Sequence, residues 1–229
     1  MSPAVKRNYS SEKRAARARE TRRSVVSAAA GLFATHGFAR TTAEDIAAEA
    51  GVSRKTVFAT GSKTGLLKLA LDWAIAGDDE DIALAGRPEV AALAREADPA
   101  RILAGWAAMT TRISARVAAL SRALVVAAAL DDDAAELWRS TQAQRLDGAE
   151  AFAGFLATRG GIRPGISIAE ATDLVWLHSD PGLYHRLVTE RGWTHEHFER
   201  WLASTLAAQL GPSAPGSPAQ LSGPGSPAR

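Results

Sequence analysis

Between residues 41 and 63 the chain gathers side chains suited to gripping a polyanion rather than to covalent chemistry. Arg54, Lys55, Thr56 and Phe58 follow Ser53. An arginine or lysine at the start of a helix can pair with guanine O6 and N7 in the major groove, worth about 1–3 kcal/mol of discrimination against the wrong base. Either Arg54 or Lys55 can take that role, leaving the other for a phosphate. Thr42, with the amides of the helix it opens, suits a phosphate, and so does Lys63, one residue past a serine cap. Arg22, Arg23, Ser53 and Thr60 complete the candidate DNA contacts. For any one basic residue a solvated surface charge is an equal reading; the cluster carries the argument.

Those residues need a scaffold that points them outward, and Thr41–Phe58, TTAEDIAAEAGVSRKTVF, has the required parts. Thr42 is an N-cap with Glu44 and Asp45 in the first turn, facing the positive end of the helix dipole. Ile46, Ala47 and Ala50 make one apolar face, with Ala47 small enough for a steep helix crossing. Gly51 supplies the residue of positive φ that a tight turn needs. Ser53 caps a second helix running to about Thr60, and Val52 and Val57 lock the angle. The spacing predicts a helix-turn-helix whose second helix enters the major groove. A plain helical hairpin is the alternative, and the exposed basic face of the second helix argues against it.

The charge distribution agrees. Residues 1–64 carry 12 Lys/Arg against 5 Asp/Glu, whereas residues 65–229 carry 15 against 20, so the net charge of +2 hides a basic first quarter. One part is built to meet a polyanion and the rest is not. There is no cysteine, which excludes disulfides and thiolate metal sites and fits a reducing cytoplasm. The first 20 residues hold no apolar stretch resembling a secretory signal, and the longest apolar run, Ala123–Leu130, is too short to span about 30 Å of hydrocarbon. A cytoplasmic protein without membrane contact is expected.

The whole chain reads as helix. Residues 1–17 lack apolar periodicity and read as a mobile basic arm; from Arg19 a helix carries Val25, Val26, Ala29, Leu32 and Phe33 to a stop at Gly37. Ser62 and Lys63 open a fourth helix with Leu66, Leu67, Ala70 and Leu71, followed by GDDED at 77–81 and a variable connection through Gly86 and Pro88. Asp98-Pro99, Ser167 with Glu170, Asp180-Pro181 and Thr194 mark further helix starts, and another helix runs from about Ala134 to Thr158. The expected organisation is all-α: an arm at 1–17, a helix-turn-helix domain at 18–64, a larger helical domain at 65–210 for ligand binding and dimerisation, and a disordered Gly/Pro/Ser tail at 211–229.

In the larger domain, Leu103, Trp106, Met109, Trp138, Phe152 and Trp176 could line a cavity. Arg145 or His178 would anchor a flat apolar ligand bearing an acidic or hydrogen-bonding group. The competing reading makes the arginine a snorkelling surface residue and His178 a satisfied core histidine. Arg112 and Arg116 border the same stripe. His195 and His197 are two apart and face different sides of a helix, so no metal site is expected. No cofactor is expected either. No catalytic residues stand out, because no nucleophile triad, paired carboxylates or phosphate loop is present. A helical enzyme is therefore the weaker alternative, and a DNA-binding regulator without a ligand the stronger one.

Residues 19–71 resemble the DNA-binding domain of the tetracycline-repressor-like (TetR) family of transcriptional regulators. The resemblance lies in Ala30, Leu32, Phe33, Gly37 and Phe38, then Thr41-Thr42, Ile46-Ala47, Ala50-Gly51-Val52-Ser53, Thr56-Val57-Phe58, and Gly61-Ser62-Lys63 with Leu66-Leu67. It implies a reading head in the second and third helices and a helical domain that binds a small molecule. It also implies a homodimer, with the helices near 168–178 and 195–210 as partners, on a near-palindromic double-stranded operator, acting as a repressor. The segment after Phe58 departs from the family pattern. It is one residue shorter and lacks the two ring-bearing residues usual there, so Thr60, Gly61 and Lys63 are expected to make a rearranged backbone contact.

Overall fold

The computed structural model describes residues 3–80 and 86–211, with side chains from residue 13 onward. All regular elements among the described residues are helical. Helix α1 (Pro3–His36) ends at Gly37, whose φ of 79° turns the chain so that Phe38 stacks back on Phe33 with centroids 5.6 Å apart. α2 (Ala43–Ala50) starts with a reciprocal capping box. The Asp45 amide donates to the Thr42 hydroxyl, and the Asp45 carboxylate accepts from the Thr42 amide. Gly51, at φ 66°, closes it, and the Ser53 hydroxyl accepts from the Thr56 amide to start α3 (Arg54–Thr60). Ser62 caps α4 (Lys63–Ala76) in the same way.

Beyond Gly77 come α5 (Pro88–Arg95), α6 (Pro99–Ala128) capped by Asp98, and α7 (Asp132–Thr158) capped by Asp131. α8 (Ile168–His178) opens with the Ser167/Glu170 capping box. α9 (Pro181–Tyr184) continues into a π-helical turn, His185–Glu190, and α10 (His195–Leu210) closes the described chain. No helix among the described residues is long and apolar enough to cross a membrane.

The structure differs from the sequence reading in several places. α1 begins at Pro3, so most of the segment read as an arm, 1–17, continues the first helix. The segment holds no glycine, and its proline sits at the permissive first position, so nothing breaks the helix. It shows no apolar periodicity because periodicity reports burial, and residues 13–20 are exposed. α5 lies where a connection was read. Its Leu93 rests on the bare Cα of Gly105, where an added Cβ would come within 2.8 Å of the leucine methyl. The tail expected at 211–229 lies outside the described residues apart from Gly211.

Two cores hold the chain, and they do not divide at residue 64/65. The first combines Val25, Ala29, Phe33, Ile46, Val57, Leu66, Leu67 and Leu71 with Val117, Leu120 and Leu124 from the second half of α6. The second packs Ile102, Leu103 and Trp106 from the first half of α6 against Phe152, Leu156, Val175, Phe198, Leu202 and Leu206. A 30-residue helix, about 45 Å long, therefore runs through both. α10 turns Phe198, Leu202, Leu206 and Leu210 into the second core.

Behind α4 an acidic turn ties the halves together. The Asp79 carboxylate accepts two bonds from Arg19 (both 2.9 Å) and one from Arg23 on α1. Asp78 accepts from Arg87 (2.5 and 2.8 Å), and Arg116 on α6 donates to the Ala74 and Ile75 carbonyls at the end of α4 (2.6 and 3.0 Å). The hydrogen bonds from Arg19 and Arg23 hold the Asp79 carboxyl well below its ordinary value of 3.8. Folding thus favours the ionised form; the pairing contributes its full stabilisation above the ordinary carboxyl value of 3.8 and loses it progressively as pH falls from there toward the much lower value of the folded protein. Asp79→Asn is expected to melt below wild type at pH 7, and the gap should narrow steadily as the pH is lowered below about 4. Thermal melts across that range check this, and a gap that does not narrow in acid counts against it.

Candidate nucleic-acid interface

α3 presents its first turn to solvent and only Val57 to the core. The left-handed Gly51 sets that direction, since it lets the chain reverse without strain between two short helices. Lys55 is exposed, and Phe58 keeps 59% of its surface open, an unusual exposure for a phenylalanine. The Arg54 guanidinium lies 5.6 Å from the Phe58 ring centroid and pairs with Glu44 of α2 at 2.8 Å. The base-reading candidate is thus held at the tip of α3 by a carboxylate and a ring, both at the surface.

The helix caps and α3 itself contribute further polar atoms. The Thr42 hydroxyl donates to the Asp45 carboxylate (2.7 Å), the Ser53 and Thr56 hydroxyls bond each other (2.9 Å), and the Thr60 hydroxyl donates to the Thr56 carbonyl (2.9 Å). Lys63 sits with its ammonium 4.3 Å from the Phe38 ring centroid, and partial burial lowers its pKa from the ordinary value. This contact fixes the side chain at the first position of α4 despite the shortened segment before it.

Beside α3 lies an open cleft of about 580 Å³ between it and the extended α1, lined by Arg14, Arg17, Thr21, Arg22, Thr56 and Thr60. Arg14 and Arg17 had been assigned to an arm. The spacing 14, 17, 21 is one helical face, and that periodicity of basic and polar residues was the available signal. Arg22 lines the cleft as expected. Arg23 does not line it: it pairs with Asp79, as Arg19 does, with its side chain still 59% exposed.

The residues expected around a ligand are distributed less simply. Leu103, Trp106 and Phe152 are buried together, with Trp106 stacked on Phe152 at 5.2 Å, and Met109 and Trp176 pack against them. Trp138 belongs elsewhere, against the first core, because α7 crosses from one core to the other. The His178 Nδ1–H donates to the Leu174 carbonyl (2.7 Å), and its ring lies 6.0 Å from Trp201. Arg145 reaches α8, where it meets the Trp176 carbonyl. Arg112 pairs with Glu89, leaving it and Arg116 in structural roles. His197 stacks on Trp193 while His195 approaches the Tyr184 hydroxyl, so the two histidines point to separate partners.

Comparison with known proteins bears on the N-terminal half directly. Residues 25–70 match the family described as bacterial regulatory proteins, tetR family. The N-terminal domain is a TetR-family helix-turn-helix domain. The solved structures extend the likeness to the whole fold. A protein from Saccharomonospora viridis described as a transcriptional regulator, in complex with choline, superposes with a TM-score of 0.63 at 21% identity, covering 84% of this chain and 98% of its own. SmeT in complex with triclosan gives 0.64 at 19% identity, covering 90% and 99%. NalD from Pseudomonas aeruginosa, the secondary repressor of the MexAB-OprM multidrug efflux pump, gives 0.60 at 19%, covering 84% and 96%. No curated protein sequence matches the chain. Two of these neighbours are described as regulators, and this chain shares the fold of all three.

Proposed function

We propose that this TetR-like regulator is a homodimeric, cytoplasmic repressor that reads a near-palindromic operator through α3 and leaves it when a small molecule binds the helical C-terminal domain. The observation that carries the DNA-reading part is the exposed first turn of α3, with Arg54, Lys55 and Phe58 outward and Val57 alone buried. Arg54 or Lys55 reads base edges; Phe58 packs on a thymine methyl or sugar; Thr42, Ser53, Thr56, Thr60 and Lys63 hold phosphates. The Arg14, Arg17 and Arg22 cleft seats the neighbouring strand. Two such heads must stand about 34–36 Å apart on one face of the duplex, and an effector acts by favouring a different spacing.

The small-molecule part is supported by the relatives, one solved with choline and another with triclosan. The same helical scaffold thus serves ligands of unlike chemistry. Exposed Leu146, Ile168 and Leu177 on α7 and α8 suit a two-fold contact between subunits.

A gel-shift titration against DNA flanking the protein's own gene tests the reading. Affinity should fall steeply with salt, with a log–log slope near −0.9 for each phosphate neutralised, and should drop on a scrambled duplex. Equal affinity for both duplexes would overturn sequence-specific reading.

A further inference from the structure

The contact between α7 and α8 holds a partly buried cation with no carboxylate hydrogen-bonded to it. Arg145 donates from Nη1 to the Gln142 side-chain oxygen (2.6 Å) and from Nη2 to the Trp176 carbonyl (2.7 Å) and the Ser179 hydroxyl (3.3 Å). All three acceptors are neutral. Its Nε is shut off from solvent and has no hydrogen-bond partner, and the indole Nε1 of Trp176 is buried and unpartnered in the same way. The two groups belong together: the guanidinium carbon lies 5.2 Å from the Trp176 ring centroid. Asp180 is near enough to be felt electrostatically, but its oxygen accepts from the Gly182 amide to start α9.

Buried donors without acceptors are rare in folded proteins, and a buried charge is ordinarily paired. Burial accordingly lowers the Arg145 pKa from its ordinary value, with Asp180 opposing. Two idle donors beside a guanidinium satisfied only by neutral oxygens describe a seat for an anion with two acceptor atoms. A carboxylate has the two acceptor oxygens that two such donors call for, one for Arg145 Nε and one for the indole N–H. Charge-assisted bonds of this kind are roughly twice as strong as the neutral ones they replace.

We propose that Arg145 and the Trp176 indole N–H anchor the carboxylate of a small organic acid, and that such an acid is the effector of this regulator. The proposal rests on the ligand-responsive reading above and names its ligand class. Gln142, one helical turn before Arg145, accepts from Nη1 through its amide oxygen and leaves Nε for the acid. Because Arg145 ties α7 to the last turn of α8, re-aiming the guanidinium toward a ligand loosens that tie and shifts the helices against each other.

Thermal melts of the full chain with acetate, hexanoate and benzoate, each beside its uncharged amide at matched ionic strength, test the seat. At least one carboxylate should raise the melting temperature saturably, by about 3–6 °C at ten times its Kd, while its amide does not. Arg145→Met should lose the response. Gln142→Glu neutralises the guanidinium from Nη1, so it should melt above wild type and need at least about ten times more acid for the same shift, which keeps the test decisive if Arg145→Met folds poorly. Equal shifts from acid and amide, no shift from any acid, or a Gln142→Glu protein that responds as wild type does would overturn the anchor. The responding acid should also release operator in a gel shift; binding without release removes the effector role. Operator binding by the unliganded protein is measured in the same gel and is independent of the seat, so failure of DNA reading and failure of the anchor are told apart.

Discussion

An Arg54→Ala/Lys55→Ala protein should bind its operator at least about 30-fold more weakly than wild type while melting within about 2 °C of it. Each contact of this kind is worth about 1–3 kcal/mol, so losing two moves the equilibrium by about one and a half decades or more. Neither side chain is buried, and surface changes of this sort alter stability by about 0.5 kcal/mol or less, so fold and affinity separate cleanly. Glu44 sharpens the test. It holds Arg54 at 2.8 Å in the free protein and must release it to DNA, so Glu44→Gln should tighten operator binding by up to about 5-fold. Fluorescence anisotropy on a labelled operator measures all three proteins. Undiminished affinity in the double variant would remove α3 as the reading head.

Leu124→Ala should destabilise the whole protein by about 2–5 kcal/mol, a large share of the 5–15 kcal/mol that holds an ordinary domain together. Leu124 has no exposed surface, and it packs from α6 among residues of α1 to α4. Removing its isobutyl group opens a cavity in the core that supports α3, although the residue lies 70 positions from Arg54. Since α6 also carries Ile102, Leu103 and Trp106 into the second core, both cores should melt in one transition. Val125→Ala, one residue on and half exposed, is the control and should change little. Calorimetry decides: two separated transitions, or an unshifted one for Leu124→Ala, would show that α6 does not couple the halves.

The contrast between these experiments marks where sequence reading stops. Gly37 and Gly51 as left-handed stops, and Thr42, Ser53, Ser62, Asp98, Asp131, Ser167, Asp180 and Thr194 as helix caps, stand in the structure with the geometry that each implies. All of these but the Asp131 cap were legible beforehand, because a cap or turn is settled within about four residues of chain and by one side chain's hydrogen bond. The outward basic face of α3 follows from the same local logic, since Val57 is the only large apolar residue there with a core to face.

Long-range pairings were not legible. The sequence alone determined an all-helical chain with a capped, glycine-hinged reading element in a basic first quarter. Only the tertiary structure decided that Arg23 pairs with Asp79, that Trp138 serves a different core from Trp106, and that Phe198, Leu202 and Leu206 of α10 pack into the second core. It also decided that Arg145 meets Trp176 with no carboxylate hydrogen-bonded to it. Apolar periodicity tells which side of a helix is buried but not what it is buried against, and a guanidinium's partner depends on helices 31 to 60 residues away arriving at the same place.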